Sequence, residues 1–159
     1  MRPNLLFRVL VPILAILHFF LYTGLGLGRV VPDLLTLSLL LGARELRMGG
    51  GAGLGFFFGL LRDSFSTFPF GVYTLALALL GAVGARTRDL FVGDSLRFLF
   101  SYLVGGKLIF EGVVWVLAGE AVRGAFVQVV LVEGGMAALY GALVGVLIIL
   151  PFGGKEALR

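Results

Sequence analysis

Long apolar runs follow one another along almost the whole of this chain, and only short polar turns separate them. Of its 159 residues, 59% are hydrophobic and 14% are charged, whereas an average soluble domain carries about 25% charged residues. A soluble monomer could not bury so much apolar surface, while about 20 helical residues suffice to cross a bilayer. The sequence therefore predicts an all-α integral membrane protein with a single transmembrane domain over residues 1–159.

Six apolar stretches are expected to form six transmembrane helices. The first stretch and the last two are long enough to span, but the three in the middle fall short of about 20 residues. Those three could span by including flanking residues or where the bilayer thins, or two of them could form a re-entrant pair. The expected spans cover about residues 5–22, 27–43, 48–63, 70–85, 95–118 and 125–150.

The basic residues predict the orientation of these spans, because lysine and arginine accumulate in short cytoplasmic loops. With the amino terminus inside, three arginines fall outside, namely Arg29, Arg62 and Arg123, and Lys107 lies within a span. The nine on the cytoplasmic side are Arg2, Arg8, Arg44, Arg47, Arg86, Arg88, Arg97, Lys155 and Arg159. This bias predicts that both termini are cytoplasmic. It also argues against the re-entrant pair, which would bury Arg44 and Arg47.

Small residues repeat every four positions in the third stretch, at Gly51, Gly55 and Gly59. Faces of this kind allow helix backbones to approach closely in lipid, where there is no solvent-driven burial. Two interpretations stay open: the stripe packs inside the protein, or it faces outward as a docking face for another membrane protein. Similar stripes are Gly81 with Ala85, Gly134 with Ala138 and Ala142, and Gly141 with Gly145.

A polar turn connects the third stretch to the fourth. Asp63 and the serines that follow it end one helix, and Ser66 or Thr67 is expected to cap the next. Pro69 lies where a missing backbone donor does no harm. The turn therefore predicts a helical hairpin.

These motifs in combination resemble the rod shape-determining membrane protein family MreD. The resemblance lies in a proline-led second helix, a Gly-rich third helix that ends in an acidic residue, and a Pro-x-Gly entry to the fourth. The turn from Arg62 to Thr67 is unusually aromatic and serine-rich for that family, and the last two helices offer no matching signature. The positions that carry the resemblance are Pro32, Asp33, Gly55, Gly59, Asp63, Pro69 and Gly71.

The resemblance implies a non-enzymatic scaffold of the bacterial cell-elongation machinery, in the cytoplasmic membrane and without a cofactor. Its main expected partner is MreC. Indirect partners are MreB and a RodA-type glycan polymerase with its class B transpeptidase, so the chain would help to place side-wall peptidoglycan and maintain rod shape. The layout also resembles the six-helix substrate-binding S components of energy-coupling factor transporters. The alternative function is therefore a vitamin-type substrate-capture subunit.

Three ionisable residues lie within the last two expected spans. Lys107 and Glu111 are four residues apart on one helix face, and Glu133 is expected at a similar depth on the next helix. A lone charge at this depth costs about 3 kcal/mol, so pairing or protonation is expected. The cluster either ties the two helices together or lines a polar cavity that holds a small ligand, conducts a proton or receives a partner's helix.

The sequence offers little for catalysis or metal binding. His18 is the one histidine, and no acidic residue stands three or four positions away to orient it as a base. Cysteine is absent, no cluster has metal-ligand spacing, and Gly49–Gly55 lacks the lysine of a phosphate loop. We therefore expect no catalytic, cofactor or metal site, and no basic patch for nucleic acid.

Overall fold

Helices make up most of the computed structural model, which describes residues 5–24, 32–87, 96–120 and 125–153. A π-helical turn, Phe20–Gly24, continues the first helix, and a π-helical segment, Val127–Glu133, leads into the last. No strand occurs in the described ranges, so the expected all-α class is confirmed. The six α-helices of these ranges are α1 (Leu5–Phe19), α2 (Leu34–Ala43), α3 (Met48–Ser64), α4 (Val72–Thr87), α5 (Leu96–Leu117) and α6 (Gly134–Gly153).

Two helical segments are long and apolar enough to cross a membrane. They are Leu96–Leu117 and Val127–Ile148, each of 22 residues, which corresponds to about 33 Å at 1.5 Å per residue. Helix α1 has 15 residues and is continued by the π-helical turn to Gly24, while α2 has 10 residues. Six crossings therefore remain a prediction.

Helix α2 lies at the centre of the fold, and all ten of its residues are buried. A helix that is apolar on every side is stable only when other elements surround it. Side-chain hydrogen bonds fix two of its neighbours: Ser38 Oγ donates to the carbonyl of Val11 on α1 at 2.8 Å, and the Tyr102 hydroxyl of α5 donates to the carbonyl of Leu40 at 2.9 Å. The helix is thus held in register with both.

Helices α3 and α4 pack backbone to backbone along the glycine stripe of α3. A Cβ atom added at Gly55 would overlap the carbonyl oxygen of Leu77, and one at Gly51 would overlap that of Gly81. At Gly59 the obstacle would be the backbone of Thr74. The structure therefore places this stripe inside the protein, where it lets the two helices approach more closely than side chains would allow.

We expect Gly55→Ala to destabilise the protein, because the added methyl group forces α3 away from α4. Overpacking of this kind costs about 1–3 kcal/mol. Gly53→Ala is the matched control, since Gly53 is exposed on the same helix with open space around it, and alanine there favours the helix. Unfolding in detergent micelles, followed by circular dichroism, measures both. Equal stability of the two variants would contradict the packing.

Candidate functional site

The carboxylate of Asp33 caps the amino end of α2. Its Oδ1 accepts a hydrogen bond from the backbone N–H of Thr36 at 3.1 Å, and its Oδ2 accepts one from the Thr36 hydroxyl at 2.8 Å. Aspartate is a favoured residue at this position because it satisfies a helix N–H that has no partner within the helix. The local sequence thus fixes where the carboxylate lies.

Two cations from distant helices bind the same carboxylate. Arg62, in the last turn of α3, places Nη1 2.7 Å from Asp33 Oδ2, and Lys107, near the middle of α5, places Nζ 2.6 Å from it. Lys107 Nζ also lies 2.7 Å from Oε1 of Glu111, one turn further along α5. We call Asp33, Arg62, Lys107 and Glu111 the charge cluster. Its two carboxylates match its two cations.

The charge cluster is largely shielded from the surroundings. The side chains of Lys107 and Asp33 are 8% and 12% exposed, and those of Glu111 and Arg62 are 21% and 23% exposed. Charges removed from water are tolerated when they are paired and hydrogen-bonded, and removing one partner is strongly destabilising. The cluster therefore ties α2, α3 and α5 together at one end of the fold.

Aromatic rings extend this arrangement to α4. The Arg62 guanidinium lies 4.5 Å from the ring centre of Tyr73 and 5.1 Å from that of Phe110, while Lys107 Nζ lies 4.7 Å from Phe110. The rings of Tyr73 and Phe110 stack with their centres 6.1 Å apart. Cations over aromatic faces are stabilised by the ring quadrupole, more so when water is excluded.

A second buried carboxylate, Asp63, organises the hairpin between α3 and α4. It accepts hydrogen bonds from the backbone N–H groups of Gly71, Tyr73 and Thr74 at 2.9–3.1 Å, and from the Thr74 hydroxyl. The last residues of one helix thus cap the first turn of the next. Gly71 adopts φ +101°, a conformation that glycine accommodates more readily than other residues.

The cap of α4 therefore differs from the expectation from sequence, which assigned it to Ser66 or Thr67. Helix α4 begins only at Val72, several residues beyond either of them. Ser66 Oγ instead accepts a hydrogen bond from the backbone N–H of Phe68 at 3.0 Å and shapes the turn. The expectation was wrong because it considered only caps that are close in sequence.

The motif positions that resemble MreD have structural roles at this end of the fold or along the α3–α4 contact. Pro32 accepts a hydrogen bond from the N–H of Leu34 at 2.7 Å, next to the Asp33 cap, and Pro69 accepts one from the N–H of Val72 at 3.3 Å. Gly55 and Gly59 line the close contact with α4. With Asp63 and Gly71 in the hairpin, each motif position is explained by backbone geometry or charge pairing.

The structure brings together two of the three ionisable residues singled out in the last two spans. Lys107 and Glu111 form an ion pair, whereas Glu133 is exposed at the end of the π-helical segment. Asp33 and Arg62 complete the cluster instead. A signal for them exists in the sequence. Asp33 lies in the first half of the expected span 27–43 and Arg62 next to the end of the span 48–63, so antiparallel helices bring them toward the same end.

A small cavity adjoins the charge cluster between α2, α5 and α6. Its volume is about 20 Å³, which is enough for about one water molecule. Asp33, Thr36 and Lys107 supply its polar lining, and Ala138 and Ala142 are among the small residues of α6 that close it. Sites for small organic ligands enclose about 300–1,000 Å³, so this cavity gives no support to capture of a vitamin-sized molecule.

His18 is packed among aromatic rings near the end of α1. Its side chain is buried, its ring stacks on that of Tyr22 with 5.6 Å between centres, and Phe19 meets it edge-on. Its Nδ1 has no hydrogen-bond partner in the part of the chain that the structure describes. Within the same part, no three His, Asp or Glu side chains converge in a way that could hold a metal ion.

The fold and the charge cluster define a class, an all-helical protein with two segments that could span a membrane and with a buried charge cluster paired within the chain. The family model of the rod shape-determining protein MreD matches residues 3–153. The chain therefore belongs to the MreD family, a family of membrane proteins with a role in rod shape determination. Comparison with curated proteins and with solved structures gives no match.

We expect Asp33→Asn to destabilise the protein by about 3 kcal/mol, as loss of one partner from a buried ion pair does. Asparagine preserves the shape and the capping oxygen, so the change removes mainly the negative charge. Unfolding in detergent micelles measures the loss, and Glu120→Gln, at an exposed carboxylate, is the matched control.

A double-mutant cycle with Lys107→Met separates the ion pair from other effects. The double variant should lose less stability than the sum of the single variants, because Lys107 no longer needs a counter-charge. Additive losses, or an Asp33→Asn variant as stable as Glu120→Gln, would contradict the role of the cluster.

Proposed function

We propose that this protein is a non-enzymatic scaffold of the bacterial elongation machinery, which pairs with MreC and helps to position side-wall peptidoglycan synthesis. Membership of the MreD family is the observation that carries the proposal. A scaffold needs a stable shape and faces for partners rather than a reactive centre. The charge cluster and the glycine contacts support this, because their polar groups and close backbone contacts hold the helices of the chain together.

We further propose that the chain crosses the cytoplasmic membrane six times with both termini in the cytoplasm. The excess of basic residues in the turns on one side supports this orientation. Lys107 and Glu111 belong to the second half of α5, so the charge cluster would then lie toward the outer surface. The short helices would cross by tilting little or by thinning the bilayer around them.

Exposed apolar side chains on several helices support a protein that works within the bilayer. Phe56 and Phe57 of α3, Leu75 and Leu79 of α4 and Ile109 of α5 are each about half exposed. Such surface is unfavourable in water but suits lipid or the helices of membrane partners. Recognition of partners would therefore take place largely between helices.

Depletion of the protein in its own bacterium should convert rods into rounded cells, and expression of the wild-type chain should restore the rods. The tagged chain, purified from native membrane in mild detergent, should bring MreC with it. Lys107→Met should reduce the amount of folded protein and shape rescue together, whereas Arg97→Met, at an exposed cation on the same helix, should leave both unchanged.

Two results would overturn the proposal. One is a rod shape that persists after depletion. The other is recovery of energy-coupling ATPases and a bound small molecule without MreC, which would indicate the capture subunit.

The orientation predicts the side on which each end of the last helix lies. A reporter active only in the cytoplasm, fused after Arg159, should be active, and the same reporter inserted after Glu120, between α5 and α6, should be inactive. The two fusions control each other, because α5 and the segment through α6 are the long apolar spans. Activity of the Glu120 fusion would contradict the orientation.

A further inference from the structure

Glu133 lies on an exposed helix face that is otherwise suited to lipid. The residues that share this face follow at helical spacing, and all of them are exposed. We call them the Glu133 face, and they are Glu133, Met136, Tyr140, Leu143 and Leu147. By comparison, the exposed face of α4 presents Leu75, Leu79 and Val83, and its ionisable residue, Arg86, comes only in the last turn.

The depth of Glu133 makes its exposure costly. It is the seventh residue of the apolar span Val127–Ile148, and thus lies about 9 Å inside that span at 1.5 Å per residue. Ionisable side chains at such a depth normally face the protein interior and pair with another group. Glu133 forms no ion pair or hydrogen bond within the part of the chain that the structure describes. Its carboxylate therefore calls for a partner outside that part.

The neighbouring residue explains why Glu133 does not join the charge cluster. Gly134 is buried against α5, and a Cβ atom there would lie 3.0 Å from Cγ of Glu111. The side of α6 that meets α5 is thus occupied by Gly134, and Glu133 is directed elsewhere. Lys107, the cation expected for Glu133, is bound to Asp33 and Glu111.

The side chains around Glu133 suit a protein helix. Tyr140 adds a second exposed polar group further along the span, where lipid tails offer its hydroxyl no hydrogen-bond partner. Met136 is flexible and adapts to an irregular surface. The π-helical segment Val127–Glu133 ends at Glu133, and π-helical distortions are frequent at functional sites.

The cations that the structure describes in this chain fit the face poorly when they come from a second copy. The cations that the described structure places at this end of the fold, Arg62 and Lys107, already bind Asp33. A copy would therefore have to break its own charge cluster to supply either of these two cations. A different protein carries no such penalty.

We propose that the Glu133 face docks a membrane-spanning helix of a partner protein that carries a lysine or arginine at the depth of Glu133. The inference rests on the proposed scaffold function and deepens it, because it assigns the holding of a partner to α6. The ion pair would form between the Glu133 carboxylate and the partner's cation, away from water. Aliphatic and aromatic packing along Met136, Tyr140 and Leu143 would align the two helices.

A photoreactive amino acid at Met136, in full-length protein in native membranes, tests the contact. It should form an adduct with the membrane-spanning helix of MreC, whereas the same amino acid at Leu79 on α4 should not. Glu133→Lys should lower the recovery of MreC about tenfold or more, with Glu120→Lys as the control. Reversal of the partner's basic residue to glutamate should restore recovery with Glu133→Lys. An unchanged elution profile in detergent would show that Glu133→Lys is folded.

The outcomes separate the inference from the proposed function. If the wild-type chain recovers MreC and Glu133→Lys and Glu133→Gln do so equally well, the inference fails and the scaffold function stands. An adduct only between two copies of this chain, or only with lipid, also overturns the inference. If MreC is not recovered at all, the proposed function fails. The docking face then stands only if Met136 links to another identified helix whose charge reversal rescues Glu133→Lys.

Discussion

The carboxylate of Asp33 is the point on which several helices depend. It caps the amino end of α2, and it binds Arg62 of α3 and Lys107 of α5 at hydrogen-bonding distance. The Asp33 carboxylate balances the charge of only one of these two buried cations. Glu111 supplies the second negative charge that the cluster needs. Because these charges are unfavourable in any other arrangement, they fix the register of helices whose apolar surfaces alone would slide past one another.

Close backbone packing complements this polar interaction. Helices α3 and α4 meet through the close contact that Gly51, Gly55 and Gly59 permit, and packing of this kind stabilises helix pairs in lipid, where burial from water does not act. Asp63 then fixes the hairpin by capping α4 from the end of α3. The two helices therefore form one unit, and the ion pair between Arg62 at its end and Asp33 connects that unit to α2. The glycine stripe thus joins α3 to α4, and the charge cluster joins this pair of helices to α2 and α5.

Much of this could be predicted from the sequence, and the misses have physical causes. Composition and the apolar stretches predict the helices, and the spacing of the glycines predicts a close contact, though not which helix it meets. Lys107 and Glu111 pair because four residues make one turn. Asp33 was missed as their partner because it is 74 residues from Lys107, and pattern analysis along one helix does not show which helices are neighbours. The cap by Asp63 was missed for the same reason.

Asp33 and Glu133 are two carboxylates with different roles: the first stabilises the fold, and we propose that the second binds a partner. Asp33 is satisfied by cations of its own chain, so it contributes to one fold and offers little to a partner. Glu133 is exposed next to Gly134, the residue that meets Glu111, and Met136 and Tyr140 are exposed on the same helix. When a charge is paired only in the complex, association is most favourable with a partner that carries the opposite charge at the same depth. In a chain with short turns, such a charge allows the surface of a helix to select one partner.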